Sequence, residues 1–137
     1  MGQQQILLLI LGTIIVALAV VVGIVMFEDQ AVTANRDVML KDLVLLAVKA
    51  RQYYYRPIRL GGGGYSFIGL SGNAGLLKIT NEAFRNNDNG EYTIVVAGDA
   101  SHVVIRGTGK VELSNGDGFP TVEMDIMAET QVATVIQ

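Results

Sequence analysis

The stretch ILLLILGTIIVALAVVVGIVMF, residues 6–27, carries no charge and begins almost at the N-terminus. As an α-helix it would be about 33 Å long, close to the thickness of a bilayer's hydrocarbon core. Glu28-Asp29 come directly after it, and no glycine or proline interrupts the chain from there to Arg56, after which Pro57 ends any helix. The expectation is one long helix, apolar over residues 1–27 and amphipathic over residues 28–56. In the second half Leu40, Leu43, Ala47, Ala50 and Tyr54 recur at spacings of three and four with Val44 beside them, an apolar stripe that needs a cover. Asp37 and Lys41 form an i,i+4 acid-to-base pair outside it.

The cover has to come from the residues beyond Pro57. Between residues 57 and 75 the composition turns glycine-rich, with Gly61-Gly62-Gly63-Gly64 followed by Gly69, Gly72 and Gly75, which reads as a surface loop pinned by Tyr65, Phe67, Ile68 and Leu70. Strand patterns are predicted over residues 91–97, 102–113 and 121–137, with a bulge at Gly107-Thr108-Gly109. The turn-rich segments 86–90, 98–101 and 114–118 separate them and are too short for a crossover helix, so the order is an antiparallel meander. In the last stretch Val122, Met124, Ile126 and Ala128 alternate with Glu123, Asp125, Met127 and Glu129, as a sheet covered by a helix on one face requires. The predicted class is α+β: a long N-terminal helix on a small antiparallel sheet, with residues 28–137 forming the head.

With 137 residues there is room for one small domain. The hydrophobic fraction of 50% is inflated by the N-terminal run, since all 10 basic and 13 acidic residues lie after Phe27. A net charge of −3 speaks against a nucleic-acid binder, and without cysteine there is neither a disulfide nor a thiolate metal site. Charge is unevenly placed. Lys49, Arg51, Arg56 and Arg59 form a stretch free of acids, whereas Glu112, Asp117, Glu123, Asp125 and Glu129 form a C-terminal stretch free of bases. These are either two solvated faces or complementary contacts between copies, in which Arg51 and Arg56 would meet Glu123 and Asp125.

Signals for chemistry are poor. His102, the only histidine, stands at a predicted strand start beside a turn. Gly107-Thr108-Gly109-Lys110 lacks the spacing of a phosphate loop and has Val111 where Ser or Thr should follow the lysine. The glycine run lacks the preceding strand and following helix of a phosphate cradle. Asn115, Asp117 and Gly118 lack a calcium loop's twelve-residue pattern. Tyr53-Tyr54-Tyr55 point three ways on a helix, giving one core ring and two at a rim or interface. No catalytic, cofactor or metal residue is assigned, and no enzyme is expected.

The N-terminal run is not an ordinary signal peptide. No base precedes it, it is too long, and Ala17-Leu18-Ala19 lies inside it rather than after it. Ala19 and Gly23 are a small-x-x-x-small pair that permits close helix approach, and Gly12 and Gly23 are natural places for bending. Arg36 and Lys41 lie after the span with no base before it, which by the positive-inside rule points to a cytoplasmic head, but Glu28-Asp29 come first and only these two bases fall nearby, so the rule does not fix the orientation.

Together, the apolar half-helix, its amphipathic continuation, the glycine-rich loop and the small sheet resemble the type IV pilins and the pseudopilins of secretion systems. The resemblance implies a lollipop-shaped subunit whose apolar helix lies in the inner membrane before assembly and in the filament core afterwards, with Ile6, Leu9, Gly12, Val16, Ala19, Gly23 and Phe27 in that core. It implies copies of the same chain, a prepilin peptidase and pilus assembly machinery as partners, and a cell-surface filament as destination. Family leaders carry basic residues and are cut after a glycine; cleavage after Gly2 would leave Gln3 first. The family's glutamate at the fifth mature position faces a neighbour's N-terminal amine. Here that position is Leu7 after cleavage, or Gln5 without it, and Gln5 can bond an amine but not neutralise it. The leading expectation is a structural subunit of a homopolymeric filament. The alternatives are a minor pseudopilin of a secretion or uptake machine and a single-span membrane-anchored binding module using the loop from Gly61 to Gly72.

Overall fold

The computed structural model describes residues 2–137; Met1, which cleavage after Gly2 would remove, lies outside them. Helix α1 runs unbroken over Gly2–Tyr55. Its N-terminal half projects away from the head with every large apolar side chain in solvent, whereas Met39, Leu43, Leu46, Ala47, Ala50 and Tyr53 are buried. The face that docks is thus rotated slightly from the expected stripe. Leu40 and Tyr54 are only partly buried, and Val44 lies on the outer side. At 3.6 residues per turn, Val48 stands opposite the buried row, flanked by Val44, Leu45 and Tyr55.

Four strands cover the helix: β1 (Gly90–Val96), β2 (His102–Gly109), β3 (Thr121–Met127) and β4 (Gln131–Val135). They pair antiparallel in the order β1-β2-β3-β4, the expected meander. Ile94, Ile105 and Met124 lie side by side across three strands and meet the buried row of α1. Alternation is strict in β2 and β3, where Val103, Ile105, Val122, Met124 and Ile126 face the helix.

Three expectations need correction. Residues 121–137 are two strands, because the chain turns at Ala128-Glu129-Thr130 and Met127 N–H bonds Thr130 O at 2.9 Å. That turn contains no glycine, proline or asparagine, so the alternation ran through it unmarked. The bulge lies in β1 between Ile94 and Val96, not at residues 107–109. Gly107 and Gly109 stay in register and make room for the Tyr92 ring and the Asn35 side chain. Short helices α2 (Gly72–Leu76) and α3 (Glu82–Arg85) were not expected. A side-chain cap starts α3, with Phe84 N–H donating to Asn81 Oδ1 at 2.8 Å.

The glycine-rich loop closes the far end of α1. Gly63 N–H donates to Tyr53 O at 2.8 Å, Gly64 N–H to Arg56 O at 3.0 Å and Tyr65 N–H to Tyr54 O at 2.7 Å, satisfying carbonyls that a helix end leaves open. Such a fold-back needs close backbone contact. A Cβ on Gly62 would overlap the Arg56 carbonyl, and one on Gly63 the Ser66 carbonyl. Phe67 and Leu70, fully buried, pin the loop to the core.

Candidate assembly surface

The apolar half of α1 is the one helix long and apolar enough to cross a membrane among the described residues, with a mean hydropathy of 3.1 in its most apolar stretch. Ile6, Leu9, Val16 and Phe27 are exposed at 62%, 69%, 62% and 79%. Gly12 and Ala19 are exposed too and Gly23 is half-buried, all within unbroken helix. Thr13, the polar exception within the run, donates its hydroxyl to Ile10 O at 2.8 Å, so it leaves no unpaired donor in an apolar setting. Gly2, Gln3 and Gln5 occupy the first turns of the same helix and are exposed.

A separate apolar patch lies further along α1, past exposed Gln30, Asp37 and Lys41 on the same side. On the back of the head Val44, Leu45, Val48 and Tyr55 remain 42–51% exposed, a stripe facing away from the sheet. A second exposed apolar region lies on β4, an edge strand on which Val132 and Val135 are open and no residue is charged.

The head is also polar end to end. At its base, near the apolar half, Ser114 Oγ donates to Asp29 Oδ1 at 2.7 Å and fastens the β2–β3 loop to α1. Glu28, Asp29, Glu112 and Asp117 are exposed there, beside Lys110 and the half-buried Arg36. At its tip the C-terminus of α1 meets the β3–β4 turn, through Tyr55 OH to Ala128 O at 3.5 Å and Arg51 Nη2 to Gln131 Oε1 at 2.6 Å. Arg56 and Arg59 are exposed there and pair with no acid among the described residues. Tyr54, Tyr55 and Tyr65 stack edge-to-face around the same end, with centroids 5.1–5.9 Å apart.

The sequence-predicted charges are thus separated. Arg51 and Arg56 sit at the tip, while Glu123 and Asp125 lie half-buried on the sheet face turned away from α1. Glu123 already pairs with Arg106 across β2 and β3. His102 lies at the start of β2, with Nδ1 3.1 Å from Asp99 Oδ2. Asp99 accepts N–H bonds from His102 and Ser101, which hold its carboxyl down at about 2. Among the described residues no His, Asp and Glu side chains gather as a metal site.

Sequence reading missed one polar hub. Asp42 Oδ2 accepts from Tyr92 OH at 2.8 Å, Asn89 Nδ2 at 3.0 Å and Asn87 Nδ2 at 3.1 Å, joining α1 to the entry of β1. Burial first and this bond second push the Tyr92 phenol far above its usual range, so it stays a donor. The only sequence signal was an acid adjacent to the buried row, upstream of an asparagine-rich turn.

In shape the chain agrees with the pilin-like lollipop: a long apolar N-terminal helix packed on a small antiparallel sheet. No family model, curated protein or solved structure matches it.

Proposed function

We propose that this chain is the structural subunit of a type IV pilus-like homopolymeric filament, held by its apolar helix in the inner membrane before assembly and displayed at the cell surface afterwards. The observation that carries this reading is a second exposed apolar patch on the outer side of α1, Val44, Leu45, Val48 and Tyr55, lying beyond the membrane-length run and separated from it by Gln30, Asp37 and Lys41. A solitary membrane anchor has no use for apolar surface on the back of its head; a helix bundled with copies of itself does, because bundling removes that area from water. The glycine-rich loop, committed to closing α1, is poorly suited to the rival role of a ligand loop. Assembly machinery and a prepilin peptidase are the partners that the resemblance supplies.

Electron microscopy of material sheared from producing cells, with peptide identification, tests the proposal: filaments composed mainly of this chain are expected. A minor pseudopilin would be a trace component of such material. Val16→Asp should abolish the filaments while the head still folds, because an unpaired carboxylate in a packed helix bundle costs several kcal/mol, on the order of 3 or more. Normal filaments built from that variant would remove residues 6–27 from the core.

A further inference from the structure

The two halves of α1 have matching lengths. Residues 2–28 and 29–55 each rise about 40 Å at 1.5 Å per residue, and the head occupies the second half from its base at Asp29 to its tip at Tyr55. A copy displaced along the helix axis by one half-length therefore brings its apolar half beside its neighbour's head. The same displacement sets its base directly over that neighbour's tip.

Both surfaces brought together by this step are complementary. The bare apolar helix of the upper copy meets Val44, Leu45, Val48 and Tyr55 along the tip half of the lower copy's outer α1 face, while its first turns lie beside the Gln30, Asp37 and Lys41 half. Exposed acids at the upper base, Glu28, Asp29, Glu112 and Asp117, meet Arg56 and Arg59 at the lower tip, which pair with no acid in their own chain among the described residues. The opposing charges are few: Lys110 and half-buried Arg36 at the base, Glu129 and the hydrogen-bonded Asp99 at the tip. Glu123 is a poorer partner for the arginines, being held by Arg106.

We infer that copies of this chain stack tip to base with an axial step of about 40 Å, the arginines Arg56 and Arg59 of one copy seating against the Asp29–Glu112–Asp117 base of the next. This rests on the filament reading and specifies its longitudinal contact. It also fixes polarity, since an inverted neighbour would place tip on tip, basic against basic.

The chain contains no cysteine, so introduced thiols report the contact without background. Full-length Arg59→Cys/Asp117→Cys chains in producing cells, oxidised and run without reductant, should give a ladder of disulfide-linked multimers from the sheared filament fraction. Arg59→Cys/Glu123→Cys chains should give none. The reversal Arg56→Glu/Arg59→Glu should lower filament yield about tenfold, as several weak exposed pairs are lost at every step, and adding Glu112→Lys/Asp117→Lys in the same chain should restore it. Wild-type filaments with no Arg59–Asp117 ladder, with an equal ladder from the Glu123 control, or with full yield from the arginine reversal would overturn the stacking and leave the filament standing. Absence of any filament from the wild-type chain would overturn the filament reading, and the stacking with it.

Discussion

Asp42 gathers more polar partners than its neighbours on α1. It sits beside fully buried Leu43, and its one oxygen Oδ2 collects the Tyr92 hydroxyl and two asparagine amides. Removing it leaves the largely buried phenol without a partner, which costs more than the hydrogen bond contributed. Asp42→Ala should destabilise the fold by about 2–4 kcal/mol, and Tyr92→Phe by about 1 kcal/mol, in urea unfolding of the full chain in detergent. Equal losses would mean that the asparagines contribute nothing. Asp99 offers a pH-dependent counterpart. Its carboxyl is depressed to about 2 by the N–H groups of His102 and Ser101, so its contribution is complete above the ordinary carboxylate value near 4 and disappears as pH falls through about 2. Asp99→Asn should lower the melting temperature at pH 7 and leave it indistinguishable from wild type near pH 2. A constant difference across that range would assign the effect to packing.

Among the elements, α1 owes its length to the absence of proline before Pro57 and its end to the loop that returns over it. Because Gly63 approaches the Ser66 carbonyl with no room for a Cβ, Gly63→Ala must open the loop or bend the helix end. A loss of about 1–3 kcal/mol is expected, the usual cost of overpacking a tight contact. Hydrogen exchange at the amides of Gly63, Gly64 and Tyr65 should accelerate in the same variant, and unchanged exchange would show that the loop does not depend on this contact. The sheet manages its two edges differently. β1 is flanked by the Asn86–Glu91 bridge and by α2, whereas β4 is uncharged and open.

For the chain in its entirety, the separation between an exposed helix and a self-sufficient head has a direct consequence. The core cluster draws on α1 from Met39 onward, with Val32 buried two turns before it, together with the loop and β1–β3, so residues 28–137 should fold without the apolar half. Sedimentation of that fragment should report a monomer. Val44, Leu45 and Val48 alone offer too little apolar area for a stable interface, which needs roughly 800 Å² per partner. Robust self-association of the fragment would move the assembly determinant from the apolar half into the head.

Local pattern made much of this legible before any coordinates. A charge-free run, helical spacing at Leu43, Ala47 and Ala50, and turn-rich connections too short for crossovers are properties of neighbouring residues, and they led to the long helix, the antiparallel order and the α+β class. The remaining features depend on residues far apart in the chain. The turn at residues 128–130 carries no local mark because pairing between β3 and β4 makes it. Which side of α1 docks was decided by the fit of Leu46 and Tyr53 against the sheet and loop, which put Val44 outside although its spacing allowed either side. Asp42 became a hub, and the base and tip acquired opposite charge, only when folding brought residues tens of positions apart within hydrogen-bonding distance. Periodicity reports whether a segment can bury a face; which face it buries, and what the others then meet, is set by packing against partners that no local window contains.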